Sequence, residues 1–178
     1  MRKEDCMKRR LMIGVWILVC FLLQCTVFHA LSFGGIIPNL LIILTASYGF
    51  MGGRKSGLMT GFLSGLLLDI FFGEAIGFYA LIYMYIGYIN GNFRKIFFPE
   101  DIKLPLCLIA VSDLVFNILC YSLLFLLRSR FQIGYYFIYI ILPEVVYTVG
   151  VSLIMYPVIL RLDQKLAERE KRSAKKFV

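Results

Sequence analysis

The chain alternates long apolar runs with short polar breaks. Leu11–Phe33 carries no charged residue and follows Lys8-Arg9-Arg10. Ile36–Gly53 opens with Pro38-Asn39 and stops before Arg54-Lys55. Ser56–Phe72, Ala75–Asn92, Leu104–Leu127 and roughly Ile133–Leu160 follow. Gly34-Gly35, Gly73-Glu74, the Arg94–Lys103 segment with Pro99, and Arg128–Gln132 punctuate them, as turn-forming and charged residues do between helices. A helix of about 20 apolar residues crosses a hydrocarbon core of about 30 Å. The pattern therefore predicts an all-α polytopic membrane protein. It has a basic N-tail (1–10), a domain of six transmembrane helices (11–160; about 11–33, 36–53, 56–72, 75–92, 104–127 and 133–160) and a basic C-tail (161–178). Pro38 is expected in the first turn of the second helix, where its missing N–H has no partner to lose. The first run is too long for the apolar core of a signal peptide and lacks an A-x-A-like cleavage site. Val19 and Gln24 precede Cys20 and Cys25, so neither cysteine follows the small residue of a lipoprotein site. The run is read as a retained helix.

Charge fixes the orientation. The 178 residues are 60% hydrophobic and 17% charged, with a net charge of +8. A basic balance of this size can signal nucleic-acid binding, but here the basic residues flank apolar runs. That placement excludes an ordinary soluble enzyme, a disordered chain and a nucleic-acid-binding domain. The second run is short, since Pro38 to Met51 makes only about 21 Å of helix, and a re-entrant segment is the competing reading. With six crossings and a cytoplasmic N-terminus, 17 of the 19 Lys and Arg residues lie inside, and only Arg128 and Arg130 lie outside. With five crossings the split is 7 inside and 12 outside. Basic residues concentrate on the cytoplasmic side, so six crossings are expected, with both termini in the cytoplasm. The tail Arg161–Lys176 reads as a topology signal attracted to anionic lipid, or as a dock for a cytoplasmic partner.

Inside the runs the polar residues are few and patterned. Three carboxyls fall within helices, Asp69, Asp113 and Glu144, with no Lys or Arg in any crossing to pair with them. Asp69 should sit about 6 Å from the outer surface, and Asp113 and Glu144 about 15 Å deep. Intramembrane acids face protein rather than lipid. Asn117 lies four residues after Asp113, and Tyr147 and Thr148 three and four after Glu144. Asp113, Asn117, Glu144 and Thr148 are thus candidates for a polar network, serving either as a proton or solute pathway or as hydrogen-bonded glue between helices. Gly57, Gly61 and Gly65 recur every four residues and lead to Asp69 and Gly73. Such a stripe admits another backbone at close range, belonging to a partner or to a helix of the same chain, and it leaves Asp69 to anchor the outer loop. Tyr79, Tyr83, Tyr85 and Tyr88 read as interfacial anchors or as a ligand platform. Pro143 beside Glu144 is a candidate kink. Five cysteines, with no C-x-x-C, suggest neither a disulfide framework nor a metal site. No phosphate-binding loop, H-E-x-x-H or Ser/His pair is present, so no catalytic residue, cofactor or metal is expected.

Three segments taken in order resemble a known family. Pro38-Asn39-Leu40-Leu41, then Gly57-x3-Gly61-x3-Gly65-Leu66-Leu67-Leu68-Asp69, then Gly77-Phe78-Tyr79-Ala80-Leu81 are similar to the MreD family of bacterial rod shape-determining membrane proteins. Ile76 stands where that pattern has leucine. The resemblance implies a non-enzymatic scaffold of the cell-elongation complex in the bacterial inner membrane. Its expected partners are an MreC-like single-pass protein and, through it, MreB-like filaments and peptidoglycan synthases. It also implies a fold similar to the substrate-binding subunits of energy-coupling-factor transporters, so a vitamin-type solute-binding subunit is the alternative. The positions carried over are Pro38, Asn39, Gly57, Gly61, Gly65, Asp69 and Gly77, as helix-packing or partner contacts. The charge asymmetry makes a direct prediction. A fluorescent reporter that folds only in the cytoplasm will be active at both termini, and an export-dependent phosphatase inserted between Arg128 and Gln132 will be active. An active phosphatase at the C-terminus would overturn the six-crossing topology.

Overall fold

The computed structural model describes residues 3–32, 35–73, 76–96, 102–128, 134 and 137–175. The described residues are mostly helical and contain no strand. Helix α1 spans Lys3–Cys25 and is followed by one short turn, α2 (Val27–Ala30). Then come α3 (Leu40–Gly52), α4 (Arg54–Phe72) and α5 (Phe78–Asn92), with a 3-10 turn at Phe93–Ile96. Helix α6 is Lys103–Arg128, and a π turn at Phe137–Ile141 leads into α7 (Leu142–Lys175). Four segments are long and apolar enough to cross a membrane: Leu11–Ala30, Arg54–Phe72, Lys103–Leu123 and Phe137–Lys165. Most of the Arg94–Lys103 and Arg128–Gln132 breaks lies outside the described residues.

Helix α3 is the axis of the fold. Its 13 residues make about 20 Å of helix, and every residue from Leu40 to Met51 is buried. A helix that is apolar all round belongs in the middle of a protein. Accordingly, α3 touches α1, α4, α5, α6 and α7. The apolar run Leu40-Leu41-Ile42-Ile43-Leu44, with Ile17, Cys20, Phe21, Ile82, Ile86, Ile109 and Tyr156, forms the core. A helix encased in this way need not match the bilayer thickness, because its ends meet protein.

Two expectations about local structure change. Pro38 does not occupy the first helical turn: Asn39 is the N-cap, so Pro38 lies just outside the helix and is buried. Arg54 and Lys55, expected in a loop, are the first residues of α4. The whole turn from α3 to α4 is Gly53, at φ +85°, a left-handed conformation that glycine adopts without penalty. Pro143 is the second residue of α7, directly after the π turn, so its missing N–H falls where the hydrogen-bond register changes rather than in a regular run of helix. Beyond the membrane the tails do not start new elements. Helix α1 begins at Lys3, and α7 runs on through the basic segment to Lys175.

The glycine stripe joins α4 to α5. A methyl group at Gly57 would overlap the carbonyl of Gly87, one at Gly61 the carbonyl of Tyr83, and one at Gly65 the backbone of Tyr79 and Ala80. As the position on α4 rises, its neighbour on α5 falls, so the two helices are antiparallel and in backbone contact. Gly91 meets Arg54 at the far end of the same seam. Gly49 of α3 joins Gly57 and Gly87, so three backbones converge at one point. Of the two readings of the stripe, it serves contact within the chain. We predict that Gly61→Ala destabilises the fold by about 1–3 kcal/mol through overpacking. Gly150→Ala, with open space at its Cβ, should be neutral or slightly stabilising. Thermal unfolding of detergent-purified protein checks both, and equal behaviour would refute the seam.

Candidate functional site

A helix begins with unpaired backbone N–H groups, and burying one without a partner costs about 1–3 kcal/mol. The start of α3 lies in the protein interior, and each of its first four N–H groups has a partner. Asn39 N–H donates to Thr148 Oγ1 at 3.1 Å, from α7. Leu40 and Leu41 N–H both donate to Gln24 Oε1, at 3.0 and 3.4 Å, from α1. Ile42 N–H donates to Asn39 Oδ1 at 3.2 Å, the N-cap bond expected of asparagine. Tyr83 Oη of α5 then donates to the same Asn39 oxygen at 2.8 Å, which fixes the cap from outside. Four helices are thereby tied at one point.

The start of α5 follows the same rule with a borrowed cap. Its N-cap is Gly77, at φ +104° and without a side chain to offer. Asp69, from the end of α4, supplies the acceptors. Its Oδ2 accepts from Gly77 N–H at 2.9 Å and from Ala80 N–H at 3.0 Å, and its Oδ1 accepts from Tyr79 N–H at 2.8 Å. A carboxyl group at a helix N-terminus also meets the positive end of the helix dipole. Ala80 is small because Gly65 packs on its backbone. The stripe, the aspartate and the Gly77-x-x-Ala80 segment therefore form one device.

Asp113, Asn117, Glu144 and Thr148 lie together beside the α3 cap. Thr148, already an acceptor for Asn39, faces the Asp113 carboxyl. Asn117 faces Glu144 and donates through Nδ2 to the Asp113 carbonyl at 3.1 Å. Asp113 is wholly buried, yet neither carboxyl oxygen has a hydrogen-bond partner among the described residues. Glu144 is the one member of this cluster in the wall of a cavity of about 490 Å³, lined also by Gln24, His29, Asn39, Tyr79, Tyr83 and Phe116.

A model of the family described as rod shape-determining protein MreD matches residues 6–166. The chain belongs to the MreD family. Searches of curated proteins and of solved structures found no match. The MreD match extends well past the segments that carry the sequence resemblance and takes in α6 and most of α7. Membership makes the chain a rod shape-determining membrane protein. Of the site positions, Asn39, Asp69 and Gly77 are capping residues, and the glycines form the α4–α5 seam.

Three contributors escaped the sequence reading. Gln24 is the only amide in the first apolar run, and that isolation was the available signal. Tyr83, grouped with the interfacial tyrosines, is fully buried, whereas Tyr85 and Tyr88 on the same helix are exposed. Asn90 donates to Ser112 Oγ at 2.7 Å and links α5 to α6. Among the described residues no group of His, Cys, Asp or Glu is arranged to hold a metal. For this MreD chain, Asp69→Ala should cost more than Asp69→Asn, because asparagine keeps one of the two acceptor oxygens. A loss of about 2–4 kcal/mol is expected for alanine. Hydrogen exchange at Gly77, Tyr79 and Ala80 should accelerate first. Unchanged protection there would show that the cap is dispensable.

Proposed function

We propose that the protein is a non-enzymatic scaffold of the cell-elongation complex, crossing the inner membrane six times with both termini in the cytoplasm. It would hold an MreC-like single-pass protein and, through it, help to position MreB-like filaments and peptidoglycan synthases. The observation that carries this reading is the family match, because it assigns shape determination rather than solute transport. The architecture supports it in two ways. The polar groups at the starts of α3 and α5 bond one another or backbone, as a rigid support requires. The outward faces are apolar, with Leu11, Val15, Leu18 and Leu22 exposed along α1 and Leu81, Tyr85 and Ile89 along α5. A membrane-embedded partner helix has room on such faces, whereas the glycine stripe is already filled by α5.

The grouping of the helix ends supports the six-crossing reading. The C-terminal ends of α1 and α4 lie with the N-terminal ends of α3, α5 and α7. Helices that alternate in direction in this way place Arg54, Lys55, Arg94 and Lys95 at the opposite end, on the side assigned to the cytoplasm. Affinity purification of the tagged protein from gently solubilised membranes is expected to recover a single-pass partner in a fixed ratio, and depletion is expected to make rod-shaped cells round. Depleted cells that stay rod-shaped, with no such partner recovered, would overturn the scaffold reading.

A further inference from the structure

The cavity beside the α3 cap has features that neither capping nor helix packing explains. Its volume of about 490 Å³ falls within the roughly 300–1,000 Å³ of small-molecule sites. Phe116 on its wall packs against two further rings, Tyr79 and Tyr83. Phe116 lies 5.0 Å from Tyr83, edge to face, and 6.2 Å from Tyr79, centroid to centroid. Glu144 lines the same space. Next to Glu144 is Asp113, with 0% of its surface exposed and both carboxyl oxygens unpartnered among the described residues. No Lys or Arg is among the lining residues, and His29 on α2 is the only basic side chain there.

Two carboxyl groups in a buried site are stable as anions only with donors and a positive charge nearby; among the described residues Thr148 faces Asp113 and Asn117 faces Glu144, but the cavity wall holds no Lys or Arg. Aromatic faces next to carboxyl groups are the arrangement that receives organic cations, the rings through their quadrupole and the acids through charge. A lysine side chain from a partner would leave most of the volume empty, whereas an ammonium group on a bulkier apolar body would occupy more of it and reach the aromatic wall. An anion would face two acids with no arginine or lysine to meet it.

We propose that this cavity binds a small organic ammonium compound, its charged nitrogen held by Glu144 with Asp113 behind it, and its apolar body against Tyr79, Tyr83 and Phe116. The ammonium group can come from a soluble amine or from the headgroup of an aminolipid. Its lining residues differ from the outward positions of α1 and α5 offered to a protein partner, so ligand binding and partner capture can be scored separately.

Calorimetric titration of the full-length protein in dodecyl maltoside, an uncharged detergent, tests this with 2-phenylethylammonium. The controls are 3-phenylpropionate and 2-phenylethanol, similar in size but anionic and neutral. One saturable site is expected for the cation, with binding about tenfold or more weaker for both controls. Glu144→Gln should weaken cation binding about tenfold. Asp113→Asn should do the same and serves as the second variant if the first fails to fold. Tyr85→Phe, on an exposed face of α5, should leave binding unchanged. Phosphatidylethanolamine that competes with the cation, where phosphatidylglycerol does not, identifies an aminolipid as the source. Lack of competition by either identifies a soluble amine. Equal binding of all three probes, no binding, or full affinity in a folded Glu144→Gln or Asp113→Asn variant overturns the site.

Discussion

The fold depends on satisfying the backbone at the buried start of α3. Four N–H groups converge there, and lipid offers them no acceptor. The chain supplies Gln24 from α1, Thr148 from α7, and Asn39 itself, steadied by Tyr83 of α5. Moving any one of these helices outward leaves a donor bare or the cap unsupported. The polar contacts thus make the relative placement of four helices a single requirement. Within a bilayer this matters more than in water, because apolar surface against lipid gives helices little reason to associate. The apolar residues keep the chain in the membrane, and the hydrogen bonds together with close backbone packing determine how it is arranged there.

The same logic recurs at α5, in a form that explains an otherwise odd arrangement of residues. A glycine N-cap cannot cap, so the carboxyl group of Asp69 is brought over from the preceding helix. That works only if the end of α4 lies against the start of α5, and the glycine seam permits that approach. Gly65 and Ala80 are small because their backbones touch; Gly77 is glycine because its φ is +104°. With the α3 cap, this puts two reinforced helix starts at one end of the molecule, beside the acidic cluster and the cavity. The opposite end carries the exposed Arg54, with its guanidinium 5.6 Å from the Tyr88 ring, together with the basic helical tails. One end is built from internal hydrogen bonds, and the other carries the exposed basic pair Arg54 and Lys55 at the start of α4.

Much of this was legible in the sequence because it is local. Pro38-Asn39 announced a helix start, the fourfold spacing of glycines announced a close backbone contact, and Asp69 at the end of that stripe announced an anchored outer turn. The spacing of Asp113 with Asn117, and of Glu144 with Thr148, placed each pair on one face of its helix. What could not be read was the far partner. No periodicity says that an amide in the first run will cap the third helix sixteen residues away in sequence, or that Tyr83 will turn inward while Tyr85 turns out. Pro38 was misplaced by two positions for a related reason. Proline is acceptable both at the first helical residue and just before the cap, and only the tertiary acceptors for the N–H groups decide between them.

The seam also changes how the motif residues bear on function. A stripe of small residues on a membrane helix invites the idea of a partner lying in it, and a mutant that loses the partner would then be taken to map the interface. Here the stripe is filled by α5, so a bulky residue at Gly57, Gly61 or Gly65 acts first on the fold. Loss of a partner in such a variant reports the collapse of the α4–α5 pair, not a missing contact. The residues that make the family recognisable are in this sense the residues that build its frame. The scaffold reading then looks for contacts with other proteins in side chains outside the motif, the exposed apolar positions of α1 and α5 among them. Such positions need only stay apolar for the helices to remain in the membrane, so they are free to differ between chains with the same frame.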